Sequence, residues 1–454
     1  MTGMARRAAT TGRRRLLGIG SGVRFVLVAC ATLVLAVPVN ASAAGRAQLA
    51  SGPGRVQVGP VLEVSRGCVG QNAEVEQAVD YPYVYEAWIG CGGIGFARST
   101  NGGRSFGHPL RVPGSAGHGV WRIGPAYLPT SGWDPAVAVA PDGTVYVSYM
   151  IRRRPYMHPV VAVSVDHGAS FTRVAQVMPP AQPKVNWGDR DFIAVAPDGT
   201  IYLTWTYGPS ARQILTGHGI ANAVIQSSAD SGKTWSRITQ VSRSFLGGAI
   251  AFLLVDPDGR IDVLMWAGHH DYFTSSADGG RSWSDPVAVQ PGVAGIDSPP
   301  VYWIDTALGI DAGGTLYATW DTQRPGGDIG WLSYSTDRGQ TWSAARRVTP
   351  DHGNAGHLMA VAGGRPGIAY LGWLSPHSRR GFAQYLRPFS VHRGWLSAPV
   401  RMSRKFGNRN IWPGDTIGIS VLPRGHGRPR VMVSWGSAVS SQISQIWAVS
   451  VTGF

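Results

Sequence analysis

An eight-residue motif that recurs along the chain constrains the fold more than any other feature of the sequence. Its pattern is Ser-x-Asp-x-Gly-x-Ser/Thr-Trp/Phe, with Asn in place of Asp in the first copy. The five copies are Ser99–Phe106, Ser164–Phe171, Ser228–Trp235, Ser276–Trp283 and Ser335–Trp342. In this pattern the Asp and Ser/Thr side chains can hydrogen-bond backbone N–H groups, the Gly can adopt a positive φ, and the aromatic ring can pack beside the strands. The motif therefore predicts a repeated β-turn in which the Asp is structural and not catalytic.

A second pattern precedes the turn motifs and predicts a β-hairpin. Residues Trp133–Tyr149 and Asp189–Trp205 each contain an alternating apolar run, a Pro-Asp-Gly turn and a second alternating run. Weaker copies are Glu74–Trp88, Ile250–Trp266, Thr306–Trp320, Leu358–Trp373 and Thr416–Trp435. Seven units with strands A, B, C and D in order predict an all-β fold, a seven-bladed β-propeller. Six blades is the alternative if the sixth or seventh unit is misread.

The two ends of the chain are expected to close the ring. The sixth unit has a degenerate turn motif around Phe389–Trp395, and the seventh unit reaches Phe454 without a strand D. We expect the segment Val56–Val64 to supply the missing strand, because closure with strands from both termini leaves no open sheet edge.

The first 44 residues have the pattern of a secretory signal peptide. A basic head that includes Arg13–Arg15 precedes an apolar run, Phe25–Val37, and a small-residue cleavage site at Ala41–Ala43. We expect secretion by the Sec or twin-arginine route, with no membrane span after cleavage, and a single domain over residues 45–454. Because the six arginines of residues 1–44 would be removed, the net charge would fall from +15 to +9. That charge suits anionic extracellular partners, although it also serves solubility, which is the simpler explanation.

The cysteine content predicts one disulfide. Only Cys68 and Cys91 remain after the predicted cleavage, and an even pair in an exported chain points to a bridge. Cys68 precedes strand A of the first unit and Cys91 follows strand B of the same hairpin. Both should therefore lie at the same end of the first blade, where a bridge would tie the closing strand to that blade.

Functional side chains are expected at the starts of the A strands, because the D–A and B–C loops share the face opposite the turn motifs. Alignment on the Pro-Asp-Gly turn places Asp134, Arg190 and Asp305 at equivalent positions; Asp189, Asp191, Asp415, Glu74 and Glu76 lie close by in the alignment. The candidate catalytic residues are Asp134, Asp191, Asp305 and Glu76, and the candidate substrate-binding residues are Arg190, Arg324, Trp133 and Tyr302. Carboxylates, guanidiniums and aromatic rings on one rim suit a polar glycan. The structural alternative is that the aspartates cap loops and pair with the arginines.

Other partners and cofactors have little support in the sequence. The histidines are scattered, and no phosphate-binding loop or dinucleotide fingerprint occurs, so we expect neither a metal nor a cofactor. Only the net charge favours nucleic acid, and we therefore expect none to bind. We expect a monomer whose partner is a glycan or another extracellular polymer.

Turn motifs of this kind are known as Asp boxes or BNR repeats, and together with the blade pattern they resemble the bacterial sialidase superfamily. The resemblance covers nearly all of the chain after residue 44, and it implies an exo-acting glycoside hydrolase. Sialidases bind the substrate carboxylate with three arginines and use an Asp acid/base and a Tyr nucleophile assisted by Glu. Trp121–Pro125 is a near match to their Phe/Tyr-Arg-Ile-Pro motif, but Glu occurs only at Glu63, Glu74, Glu76 and Glu86. The alternative is a non-catalytic extracellular propeller that binds glycan or protein.

Overall fold

The structure is a computed structural model in which strands, and no helices, form the regular structure of the described residues. The described residues are 56–116, 120–123, 126–129, 132–153, 156–178, 187–208, 222–241, 250–267, 270–289, 306–322, 329–350, 357–377, 381–408, 410–423, 429–439 and 442–454. The predicted signal peptide, residues 1–44, lies outside them. No segment within these ranges forms an apolar helix of the length needed to span a bilayer.

The described part begins with two short strands, β1 (Gln57–Val58) and β2 (Leu62–Glu63), and then forms three antiparallel blades. Their bounds are β3 (Ala73–Asp80), β4 (Tyr83–Gly90), β5 (Gly93–Ser99) and β6 (Leu110–Arg111) in blade 1; β9 (Trp133–Val139), β10 (Val145–Arg153), β11 (Tyr156–Ser164) and β12 (Arg173–Gln176) in blade 2; and β13 (Trp187–Val195), β14 (Ile201–Gly208), β15 (Asn222–Ser228) and β16 (Thr239–Gln240) in blade 3. A separate hairpin of β7 (Val120–Ile123) and β8 (Ala126–Pro129) lies between blades 1 and 2 in the sequence.

Four further blades complete the ring. Their bounds are β17 (Ile250–Val255), β18 (Ile261–Ala267), β19 (His270–Ser276) and β20 (Val287–Ala288) in blade 4; β21 (Ala307–Ile310), β22 (Leu316–Thr322), β23 (Ile329–Ser335) and β24 (Arg346–Arg347) in blade 5; β25 (His357–Gly363), β26 (Ile368–His377), β27 (Gly381–Ser390), β28 (Gly394–Trp395) and β29 (Val400–Arg401) in blade 6; and β30 (Gly418–Leu422), β31 (Arg430–Ser437) and β32 (Gln445–Thr452) in blade 7. The seven-bladed prediction is confirmed, and the six-bladed alternative is wrong.

The N-terminal strands complete the last blade. Both β1 and β2 pair antiparallel with β32, at Gln57↔Thr452 and Leu62↔Ala448 respectively. The outer strand of blade 7 is therefore supplied in two pieces by the segment Val56–Val64, as the sequence predicted. The innermost strand of each blade contacts the innermost strand of the next, and β30 of blade 7 contacts β3 of blade 1, so the ring is closed.

The hydrophobic core is divided among the seams between neighbouring blades. Buried apolar side chains of the described residues form seven clusters, one for each pair of adjacent blades. A large aromatic residue at the end of strand B recurs in them and is fully buried; these residues are Trp88, Tyr149, Trp205, Trp320, Trp373 and Trp435. Each fills the space between two sheets, and replacement of one by Ala would cost about 3–5 kcal/mol.

The Asp boxes form the predicted turns, as the copy in blade 3 shows. The Ser228 hydroxyl accepts a hydrogen bond from Gly232 N at 2.9 Å and donates to Asp230 Oδ1 at 2.8 Å. The Asp230 carboxylate accepts from the backbone N and the hydroxyl of Thr234, at 2.8 and 2.6 Å. In the first copy Asn101 Oδ1 accepts from Ser105 N at 3.0 Å, so Asn preserves the backbone contact. The structural role predicted for the motif is confirmed.

Candidate functional site

The two faces of the ring carry different elements. Asp258, in the A–B turn of blade 4, forms an ion pair of 2.9 Å with Arg338 in the Asp box of blade 5. A–B turns and Asp boxes therefore share one face. The A strands begin at the other face, which we call the rim face, and a strand of seven residues separates the two by roughly 20 Å. This arrangement is the one that the predicted strand order requires.

The backbone at the rim face has an unusual repeated feature. Four non-glycine residues at the starts of A strands, Glu74, Asp134, Arg190 and Leu358, have φ values between 50° and 58°. At each of them the pairing of strand A with strand B shifts register, which marks a β-bulge. A left-handed conformation is costly for residues with a Cβ, and such strain is concentrated at functional sites. Because the bulges lie at the starts of the A strands, they place the side chains of these residues at one end of the channel.

Blade 7 has a glycine with a positive φ before strand A, where blades 1, 2, 3 and 6 have residues with a Cβ. Gly414, directly before Asp415, has a φ of 108°. A Cβ at Gly414 would overlap the backbone of Glu74, because the chains of blades 7 and 1 are in direct contact there. Glu74 N donates a hydrogen bond of 3.1 Å to the carbonyl of Pro413. The close approach brings Asp415 against the start of blade 1.

Arg190 lies at the centre of a cluster contributed by four blades. Its Nη1 is 2.9 Å from Glu74 Oε1 and 3.5 Å from Asp134 Oδ1, and its Nη2 contacts Asp415 Oδ2. The backbone N of Arg190 also donates to Asp134 Oδ2 at 2.9 Å. Trp412 Nε1 donates to the second oxygen of Asp415 at 2.8 Å. One guanidinium therefore joins carboxylates from blades 1, 2 and 7 to blade 3.

The carboxyl groups of this rim cluster are shielded from water. Burial raises the pKa of Glu74 and the pKa of Asp191 well above their ordinary values, and the same cause raises the pKa of Asp189. Glu74, Asp134, Asp191 and Asp415 are all buried. Neither carboxylate oxygen of Asp191 has a hydrogen-bond partner among the described residues. Protonated acids beside carboxylates held by a guanidinium have the composition that general acid–base chemistry requires.

Glu76 lies farther down the central channel than the rim cluster. Together with Asp415 and Thr416 it lines a cavity of about 190 Å³ between the innermost strands of the ring. Burial raises the pKa of Glu76 to about 8. Behind it, Glu86 is fully buried, accepts hydrogen bonds from Gln77 Nε2 at 2.6 Å and Ser434 Oγ at 2.8 Å, and also has its pKa raised by burial to about 8.

The structure brings together some of the residues predicted from the sequence. Asp134, Arg190 and Asp191 belong to the rim cluster, and Trp133 is half-buried against the cores of the two seams that flank blade 2. Glu76 lines the channel cavity and not the rim cluster. The other predicted residues, Asp305, Tyr302 and Arg324, lie outside the described residues. Glu74, Asp189 and Asp415 were not among the predicted site residues, although the sequence alignment had placed them within a residue or two of the same ring.

Two further features define the surroundings of the site. Cys68 and Cys91 form the predicted disulfide, with a Cα–Cα distance of 4.6 Å, between the turn after β2 and the turn between β4 and β5. This bridge joins the closing strands to blade 1 at its rim end. No group of three or more His, Cys, Asp or Glu side chains within the described ranges has a geometry that could hold a metal ion.

Comparisons with known proteins identify the repeat and the fold. Residues 333–344, which span the fifth Asp box, match the BNR/Asp-box repeat family. No curated protein matches the sequence. An ulvan lyase, a polysaccharide lyase solved with bound -[GlcA(1-4)Rha3S]-, is similar in structure with a TM-score of 0.56 and 12% identity, over 85% of this chain and 94% of that chain. The polysaccharide lyase Uly1 has a TM-score of 0.50 and 10% identity, over 84% and 90% of the two chains.

A Hadza microbial sialidase is also similar, with a TM-score of 0.45 and 13% identity over 70% of this chain and 65% of its own. At these identities the similarity concerns the propeller fold alone. The repeat match, the five Asp boxes and the closed ring of seven blades agree with one another. The chain is a seven-bladed β-propeller that carries BNR/Asp-box repeats.

Proposed function

We propose that this chain is an exported, glycan-active protein whose site is the rim cluster of blades 1, 2, 3 and 7. The observation that carries the proposal is the concentration of Glu74, Asp134 and Asp189 around Arg190 at one channel mouth, with the buried carboxyl of Asp191 close to Asp134 and Asp189. Burial of carboxyl groups costs folding energy, and a cleft that retains several of them with raised pKa values is typical of sites that transfer protons.

Glycoside hydrolysis, in the exo-acting form that the sialidase resemblance implies, is the reaction that this set of groups suits best. Asp191 would act as the general acid, because its buried carboxyl retains a proton to higher pH and has no hydrogen-bond partner among the described residues. Asp134, in contact with the Arg190 guanidinium, would act either as the base that activates water or as the nucleophile that attacks the anomeric carbon. Glu76 and Asp415 would contact groups that enter the channel.

A non-catalytic glycan- or protein-binding propeller is the second candidate. It is favoured by the engagement of Arg190, whose guanidinium contacts Glu74, Asp134 and Asp415. In this case the cluster would hold four blades together, and ligands would contact the surrounding rim. The disulfide between Cys68 and Cys91 suits the extracellular setting that both candidates require.

Hydrolysis assays on a panel of aryl glycosides, run beside a glycan array, test the proposal. Asp191→Asn and Asp134→Asn should each lower kcat/KM by about 100-fold or more, since general acid–base groups contribute 10² to 10⁴ in rate. Asp278→Asn, a matched change in the Asp box of blade 4, should leave turnover near the wild-type level. Turnover that survives both rim substitutions would contradict the assignment. If the wild type binds glycans on the array without cleaving any glycoside, the binding candidate replaces the hydrolase.

A further inference from the structure

A second cavity lies at the seam where blade 7 meets blade 1, on the Asp-box face. Its volume is about 490 Å³, within the range of small-molecule sites. The wall combines the N-terminal strands β1 and β2, the end of β32, and the first A–B turn and Asp box. The lining residues that matter here are Tyr81, Arg104, Arg430, Ser450 and Thr452. We call this space the seam cavity.

The side chains that line the seam cavity suit a ligand that carries both an anionic group and sugar hydroxyls. Arg104 and Arg430 carry the charge, and no acidic side chain occurs among the described residues that line the cavity. Tyr81 is exposed over 46% of its surface, although it is a large aromatic residue. The Ser450 hydroxyl is buried without a hydrogen-bond partner within the described part of the chain. Guanidiniums bind carboxylate or sulfate oxygens, and an aromatic face beside hydroxyl groups suits a saccharide ring.

A glycine in the first Asp box brings two of these side chains together. Gly102 occupies the fourth position of the motif, where His167, Ser231 and Arg338 stand in other copies with φ values of 53° to 61°. The left-handed backbone therefore does not require glycine at this position. A Cβ at Gly102 would lie 2.7 Å from Arg430 Nη2 and 2.9 Å from Tyr81 Cε2, so any larger residue would displace these two side chains from their present positions.

Arg430 is held in this position by its hydrogen bond to the carbonyl of Gly102. The absence of a side chain at residue 102 thus allows the guanidinium and the tyrosine ring to meet at the cavity wall. The blade 4 box also has glycine at this position, but a Cβ at Gly279 would meet only Tyr202 Oη at 3.4 Å, so no such pair of side chains surrounds it. The neighbours of Gly102, and not the glycine itself, therefore distinguish the first copy, and they are explained if the seam binds a ligand.

We propose that the seam cavity binds an acidic saccharide unit, carboxylated or sulfated, as a second glycan site. Arg104 and Arg430 would hold the anionic group, the Tyr81 ring would stack on the sugar, and Ser450 would bond a hydroxyl. The site lies on the face opposite the rim cluster, so it does not depend on any reaction there. A polymer held at the seam would remain attached to the protein while other parts of it reach the rim.

Calorimetric titration of the full exported chain with three probes tests the proposal. Trigalacturonate supplies carboxylates, a sulfated dextran oligosaccharide supplies sulfate esters, and an unmodified dextran oligosaccharide of the same length is the neutral control. We expect binding of at least one anionic probe, weaker at high salt, and none of the neutral one. Preference between the two anionic probes identifies the anionic group.

The variants separate the seam from the rim. Arg104→Gln, at an exposed residue, and Gly102→Ser should each weaken binding by about tenfold or more. The matched change Gly279→Ser, at the same position of the blade 4 box where a Cβ meets only Tyr202 Oη at 3.4 Å, should not. Asp134→Asn at the rim should also bind the probes normally. Thermal melting shows which variants are folded, and Arg104→Gln alone decides the matter if Gly102→Ser is not.

Three outcomes would overturn the proposal. The first is no binding of either anionic probe by the wild type at concentrations up to about 10 mM. The second is wild-type affinity in Arg104→Gln. The third is loss of probe binding in Asp134→Asn, which would place the saccharide at the rim and leave the function proposed there intact.

Discussion

The Asp boxes and the rim cluster use the same acidic side chains in opposite ways. In the boxes, Asp230 and Asp337 accept hydrogen bonds from residues at most four positions away, and the hydroxyl and backbone N–H of the neighbouring Thr lower their pKa values. In the rim cluster, the contacts join residues 56 to 225 positions apart, and burial raises the pKa values of Glu74 and Asp191. Local turns keep their carboxylates ionised at the surface, whereas ring closure gathers buried acids from distant parts of the chain. Under the proposed function, the buried acids are the ones that transfer protons.

The largest effect is expected from removal of the rim cation. Arg190→Met leaves Glu74, Asp134 and Asp415 without their shared partner, and loss of one member of a buried ion pair costs about 3–5 kcal/mol of unfolding free energy. Arg338→Met is the matched change on the other face, where both partners of the pair with Asp258 are exposed, and should cost about 0.5 kcal/mol or less. Denaturant unfolding measures both. Equal costs would show that the rim cluster is no more tightly coupled than a surface pair.

Removal of the disulfide should give the next largest effect. The bridge between Cys68 and Cys91 spans 23 positions and ties the closing strands to blade 1 near the rim face. The double variant Cys68→Ser/Cys91→Ser should lose about 3 kcal/mol, because the unfolded chain is no longer constrained. Reduction of the wild type should reproduce the loss. A melting temperature unchanged in both experiments would mean that closure depends on strand pairing alone.

The pH dependence of stability should distinguish the two kinds of acid more directly. Burial raises the pKa of Glu76 from its ordinary value near 4.5 to about 8, so the folded state binds a proton that the unfolded state releases. Stability from this group is fully present below about pH 4.5 and is lost as the pH rises to about 8. Glu76→Gln should therefore gain about 3–4 kcal/mol relative to the wild type between pH 5 and pH 8. A difference that is constant with pH would show that Glu76 titrates normally.

The same contrast explains which features of the fold and the site could be predicted from the sequence and which could not. Each Asp box is a set of contacts within eight residues, so its turn, its glycine and even the Asn101 variant could be predicted from the pattern. Ring closure by Val56–Val64 could be predicted because the seventh unit lacks a strand. The pairing of Glu74 with Arg190 could not, since it depends on bulges whose left-handed backbone has no signature in the residues that adopt it.

The seam cavity is a second feature that could not be predicted from the sequence. Gly102 reads as an ordinary turn glycine, and its contact with Arg430, 328 positions away, appears only when blades 7 and 1 meet. The alignment of the units had placed Glu74, Asp189 and Asp415 close to the predicted site. What it could not show was that Arg190 would be engaged by carboxylates from three other blades.

The smallest effect is expected within a single Asp box, and it tests whether the local network needs a charge. Asp337→Ala in the blade 5 box removes the acceptor of Thr341 N at 2.9 Å and of the Thr341 hydroxyl at 2.5 Å, which should cost about 1–2 kcal/mol. Asp337→Asn should cost less than half as much, because Asn101 already fills this position in blade 1. There the Asn101 Oδ1 accepts from Ser105 N, and its Nδ2 donates to the Ser105 hydroxyl at 2.8 Å, so the hydroxyl accepts where that of Thr341 donates.

The Asn variant should also lose the pH dependence of the Asp, whose lowered pKa contributes stability above about pH 4 that disappears as the pH falls. Unfolding curves at pH 7 and at about pH 3 measure both effects. If the Asn variant is as unstable as the Ala variant at pH 7, the charge and not the hydrogen-bond geometry holds the turn, and the contrast between the two faces would lie in electrostatics alone.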